Sequence, residues 1–100
     1  MTAPDLFSRF IPLAEMLKWG TRELADAGIP TAKLDAEVLL GATLGLTRAQ
    51  VLARTHTMMR RHERGPFVAL IHRRKRGEPV AYILGSKEFY GRDFMVDRRV

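Results

Sequence analysis

Three histidines, two closely spaced carboxylates and a run of arginines are the residues of this chain whose types could do chemistry. His56, His62 and His72 are its only imidazoles, and there is no cysteine. Their positions lack metal-ligand spacing and no thiolate is available to complete a zinc site, so they read as surface histidines. Asp35 and Glu37 stand two apart, which on a helix points them to different sides. Carboxylates that share acid–base work must reach one substrate. Asp35 therefore reads as a cap or a salt-bridge partner inside a helical bundle. The glycines at 41, 45, 77, 85 and 91 fit neither a dinucleotide nor a nucleotide loop, and no serine or threonine sits in a nucleophile elbow. Met58-Met59 reads as core filler. No catalytic, cofactor-binding or metal-binding residue is assigned.

The arginines carry a different signal. Of the net charge of +6, the stretch from Arg54 to Arg76 supplies eight basic residues against Glu63 alone, and the rest of the chain is close to neutral. A local positive field suits an acidic protein partner or nucleic acid, or is a solvated helix face. Helical spacing in residues 34–54, interrupted at Gly45, also has the outline of a helix-turn-helix, with Arg48 and Gln50 able to read base edges. The short second helix carries little of the positive charge, so nucleic-acid binding is the minor reading.

The elements that must position these residues are helical. One hundred residues, 46% of them apolar, make one small domain with a modest core. Leu6, Phe10, Leu13, Leu17 and Leu24 recur at helical steps. Pro12 breaks that series, predicting a short helix near 4–10 and a longer one from Pro12 to Ala27, capped at Gly28. A further helix is expected over Thr31–Leu44, with Leu34, Val38, Leu39, Leu40 and Ala42 as its apolar positions. Thr47 and Gln50 form a T-x-x-Q capping box that starts a short helix through Arg54. His56–Arg61 reads as a loop, and Gly65-Pro66 as the start of the next helix. Arg73, Arg74, Lys75 and Arg76 close that helix, where cations suit the negative end of its dipole. Residues 80–84 form a helical turn or a strand, and Phe89, Tyr90, Phe94 and Val96 a β-hairpin. The fold class is thus mainly α: a bundle of about five helices over 1–77, then a linker over 78–100 that ends in the hairpin. No signal peptide and no membrane-spanning run is visible, and the lack of cysteine fits a reducing cytoplasm.

Two segments carry a family resemblance. Lys33-Leu34-Asp35-Ala36-Glu37-Val38-Leu39-Leu40 resembles the R-L-D-A-E-L-L-L helix of the N-terminal domain of the HemK/PrmC release factor glutamine methyltransferases. Gly77-Glu78-Pro79-Val80-Ala81-Tyr82-Ile83-Leu84-Gly85 is similar to that family's G-E-P-V-A-Y-I-L-G, and Glu88-Phe89-Tyr90-Gly91 to E-F-[YW]-G. Leu44 to Ala49 fits the family's turn, and Phe94-Met95-Val96 the strand that follows the hairpin. Gly65-Pro66 departs from the continuous helix of relatives. The resemblance implies a parent enzyme that moves a methyl group from S-adenosylmethionine to the glutamine of the Gly-Gly-Gln motif in class 1 peptide-chain release factors. It implies that the helical domain engages the release factor and that the Rossmann-like methyltransferase domain follows Val100, so no cofactor contact falls in these residues. Expected contacts to the partner, or to the methyltransferase domain, are Arg73, Arg74, Arg76, Tyr90 and Arg92. A bundle that merely caps and stabilises the catalytic half is the structural alternative.

Overall fold

A computed structural model of the chain describes residues 11–86. Within them run β1 (Ile11–Pro12), α1 (Leu13–Asp26), α2 (Ala32–Leu44), α3 (Arg48–Ala53), β2 (Met58–Met59), α4 (Arg61–Lys75) and α5 (Val80–Ser86). The architecture is mainly α, with five helices among the described residues. The expected helix near 4–10 and the hairpin over 89–96 lie outside the described residues.

The centre of the fold is a three-helix packing of α1, α2 and α4. Leu13, Met16, Leu17 and Leu24 of α1 face Ala36, Leu39 and Leu40 of α2 and Phe67, Leu70 and Ile71 of α4, all buried. These positions recur at three- and four-residue steps, so each helix turns one stripe inward. Val51 of α3 and Ile83 of α5 close the two ends of this core. Helices α1 and α4 cross closely at Gly20. A Cβ there would lie 2.8 Å from Cζ of Phe67, and beside it the Trp19 ring meets Phe67 edge-on, with centroids 6.2 Å apart. T-shaped contact aligns the positive edge of one ring with the negative face of the other.

Helix α1 starts without a side-chain cap, because Pro12 occupies the capping position. Its first amides are satisfied from elsewhere: Leu13 donates to the Thr57 carbonyl at 2.7 Å and Ala14 to that of Thr55 at 3.1 Å. Ile11 and Pro12 pair antiparallel with Met59 and Met58. What reads in sequence as the loop 56–61 thus contains the strand β2, and Thr57 just before it supplies one of the carbonyls that cap α1. Strand alternation also divides the two methionines. Met59 is buried, as expected of core filler, whereas Met58 is half exposed.

The sequence expectation for the fourth helix needs correction. It begins at Arg61, not at Gly65-Pro66, and Pro66 lies inside it. Glu63 starts it by accepting a hydrogen bond from the Arg60 amide at 2.8 Å. Proline removes the amide that would bind the His62 carbonyl, yet His62, Pro66 and Ala69 form the exposed side of α4. Water can take the freed carbonyl there, so the helix runs through. Helix α2 needs a second correction. Leu34, expected among its core positions, is 44% exposed, while Asp35 and Glu37 are buried.

Candidate docking surface

The buried carboxylates explain where much of the positive charge goes. Glu37 is fully buried, and its two oxygens accept from Arg48 Nε at 2.6 Å and from Lys33 Nζ at 2.7 Å. Burial alone pushes this carboxyl upward, but the hydrogen bonds and charges of Lys33 and Arg48 outweigh it and hold its pKa below the ordinary 4.5. Asp35 points to the other side of α2, as its spacing from Glu37 requires, and accepts from Thr31 Oγ1 and from Arg74 Nε, each at 2.9 Å. It is a salt-bridge residue within the bundle, as expected from the sequence.

A depressed carboxylate stabilises the fold above its unfolded-state pKa, and that contribution is lost as pH falls through the folded value. We expect Glu37→Gln to cost about 2 kcal/mol at neutral pH, the scale of hydrogen bonds to a charged group. The variant should also lose part of the acid limb below pH 4.5, so the two proteins converge in acid. Urea midpoints measured across pH 3–7 check this. Parallel curves would exclude Glu37 as the titrating group.

The residues singled out on α4 are mostly engaged. Arg73 reaches Glu78 at 2.7 Å, and Arg74, besides Asp35, donates to the Glu78 carbonyl at 3.2 Å. Lys75 binds Glu23 of α1 at 2.6 Å, and Arg76 stands 3.9 Å from Glu78 with its side chain 65% exposed. Arg64 is fully buried and donates through Nη2 to the Met59 carbonyl at 2.9 Å, tying β2 to α4. Arg54, Arg60 and Arg61 are exposed. The basic segment is therefore divided between buried, internally paired and outward-facing cations, not presented as one face. Tyr90 and Arg92 lie outside the described residues.

The helix-turn-helix outline dissolves at the same level. Arg48 is held by Glu37. Gln50 is spent on the capping box: its Oε1 accepts from the Thr47 amide at 2.9 Å while its own amide donates to Thr47 Oγ1 at 3.1 Å. Both side chains able to read base edges are committed to the fold.

A surface that periodicity did not single out lies along α1. A groove of about 440 Å³ has Ala14, Leu17 and Thr21 on its floor and Lys18, Arg22 and Lys33 around it. Leu17 reads as core and is 9% exposed; only the packing of α2 and of the Thr55 segment beside α1 creates the concavity. Glu37 and Arg64 were likewise illegible, since charged residues are almost never fully buried unless paired.

His56, His62 and His72 are exposed. No group of three or more His, Cys, Asp or Glu among the described residues is arranged to hold a metal ion, and none of the described helices is long and apolar enough to cross a membrane. What the geometry defines is a small helical domain whose charged groups mostly staple its own helices and whose open groove offers contact area.

Residues 15–85 match the PrmC N-terminal domain family, and the chain belongs to it. Among curated relatives it is 37% identical over 84 residues to a release factor glutamine methyltransferase of Geobacter sulfurreducens and 39% identical over 84 residues to that of Moorella thermoacetica. It is 34% identical over 88 residues to a bifunctional methyltransferase of Rickettsia bellii. These alignments cover 84%, 84% and 88% of the chain but 30%, 30% and 16% of the respective relatives. No solved structure gives a significant match.

Proposed function

We propose that this domain binds a class 1 peptide-chain release factor in the cytoplasm, on behalf of a methyltransferase in which it forms the N-terminal part. The parent enzyme transfers a methyl group from S-adenosylmethionine to the side-chain amide nitrogen of the glutamine in the Gly-Gly-Gln loop. The observation that carries this reading is the family match over 15–85, made on a domain whose internal ion pairs are structural. The groove along α1 does not suit the cofactor. The groove of α1 is ringed by three cations with no carboxylate among its lining residues, whereas a sulfonium and ribose hydroxyls call for acceptors. Methyl transfer is therefore assigned no residue here.

The division of labour has a physical basis. A loop tip gives a catalytic pocket little area, while specific protein complexes bury about 800 Å² on each partner. A second module supplies that area and fixes the orientation of the reacting amide, which itself lowers the barrier.

Deleting residues 1–76 from the full-length enzyme should raise KM for intact release factor at least tenfold and leave turnover of a short Gly-Gly-Gln peptide unchanged. Loss of binding shared by ground and transition states appears in KM alone. Equal methylation of intact release factor with and without the domain would overturn the reading. A lowered melting temperature with unchanged KM would assign the bundle to stabilisation instead.

A further inference from the structure

The geometry points to the groove along α1 as the seat of an acidic amphipathic helix of the partner protein. This deepens the docking reading above and rests on it.

The first argument is shape. The lining residues of α1 run from Ala14 to Ala25 on one face, about 16 Å at 1.5 Å per residue, which matches about three turns of a second helix. The floor is small or apolar, so a helix laid along it can insert leucine-sized anchors at i, i+3 or i+4, and i+7. The volume of about 440 Å³ seats such anchors, not a whole interface.

The second argument is charge. Several cations elsewhere in the domain are matched by an acid of their own: Arg74 by Asp35, Arg73 by Glu78 and Lys75 by Glu23. Around the groove the match is incomplete. Lys18 has only a 3.8 Å contact with Glu15, both largely exposed, and Lys33 pairs at 2.7 Å with Glu37, a carboxylate it shares with Arg48. Arg22 has no ion pair among the described residues. Lys18 and Arg22 stand at i and i+4, an arrangement of like charges that destabilises an isolated helix. Carboxylates on both flanks of an incoming helix would relieve that repulsion. Exposed charges of this kind act mainly on encounter rate and specificity, and salt screens them.

The test uses the full-length enzyme and intact class 1 release factor, with two variants that attack the groove differently. Arg22→Glu reverses its unpartnered charge, and Ala25→Trp, at an exposed position, blocks it without entering the core. Each should weaken binding at least tenfold, leave kcat and the KM for a Gly-Gly-Gln peptide unchanged, and keep the melting temperature. Arg22→Lys should bind like wild type, and Arg22→Glu should show a shallower salt dependence. Wild-type binding by both variants, while deletion of residues 1–76 still raises KM, would remove the groove and leave docking intact. If that deletion also has no effect, the docking reading itself falls. Loss of dimerisation in Ala25→Trp with release-factor affinity unchanged would assign the groove to a second copy of the chain and overturn the proposal.

Discussion

Gly41→Ala is expected to cost about 3 kcal/mol, while Gly65→Ala in the same protein is expected to be close to neutral. Both glycines lie inside helices, where alanine is ordinarily preferred, so propensity alone assigns both the same sign. The surroundings separate them. A Cβ at Gly41 would stand 2.5 Å from the Leu46 carbonyl oxygen, which is backbone, and 3.4 Å from Val51 Cγ2. That oxygen cannot swing away. The Leu46 amide donates to the Gly41 carbonyl at 2.8 Å, and Gly45 beside it holds φ at 74°. The turn from α2 into α3 thus folds back onto Gly41, and any retreat breaks its own closing bond. Overpacking against a side chain is partly relieved by rotation. Here relief means shifting α3, whose Val51 is fully buried in the core, so the upper end of the usual 1–3 kcal/mol applies. Around Gly65 nothing beyond its own helix and chain neighbours lies within 4 Å, but Pro66 follows it, and a Cβ on a helical residue before proline meets the proline ring, which offsets the gain in helix propensity. At roughly 4–8 °C per kcal/mol for a domain of this size, Gly41→Ala should melt at least 12 °C lower and Gly65→Ala close to the wild type. Thermal denaturation followed by the fluorescence of Trp19, the single tryptophan, measures both. An unchanged melting temperature for Gly41→Ala would mean that α3 does not pack as described.

The two glycines show which parts of this fold can be read from sequence and which cannot. Helix periodicity, the Thr47–Gln50 capping box and the helix-ending glycines are local features, and they place α1, α2 and α3 to within a residue or two. Local rules fail where a distant segment supplies the missing partner. Pro66 reads as a start because the sequence does not show that Glu63 caps the helix earlier or that the freed carbonyl faces water. Residues 58–59 read as loop because their pairing with 11–12 spans nearly half the chain. Leu34 faces outward, against its expected core place, because Arg74 and Arg48, distant in sequence, make burial of Asp35 and Glu37 favourable instead. The basic run between Arg54 and Arg76 is visible as composition, but its division into paired, buried and outward cations is set by acids on three other helices or turns. The groove is a property of α1 and α2 together, so no single periodicity contains it.

The Asp35–Arg74 pair ties the two motif segments of the sequence together, and its loss should be asymmetric. Arg74 Nε donates to Asp35 at 2.9 Å while Nη1 donates to the Glu78 carbonyl at 3.2 Å. The N-terminal end of α2, the last turn of α4 and the approach to α5 therefore meet at one guanidinium. Gly77, with φ at 101°, makes that meeting possible, since only a left-handed residue there turns Glu78 back toward Arg73 and Arg74. Arg74→Met leaves Asp35, 10% exposed at its side chain, with the Thr31 hydroxyl alone, and an uncompensated buried charge costs about 3–5 kcal/mol. Partial exposure of the pair lowers the expectation to about 2–3 kcal/mol. Asp35→Asn leaves a guanidinium that is 20% exposed and still bound to Glu78, so about 1 kcal/mol is expected. The double variant Asp35→Asn/Arg74→Met removes the stranded charge altogether and should recover at least 1 kcal/mol of the single Arg74→Met loss, a coupling within the range for residues in contact. Urea titrations of the wild type and the three variants, read through Trp19, close this cycle. Strict additivity would show that the pair is solvent-screened and that the two segments are held together by the burial of Leu39, Leu70 and Ile83 instead.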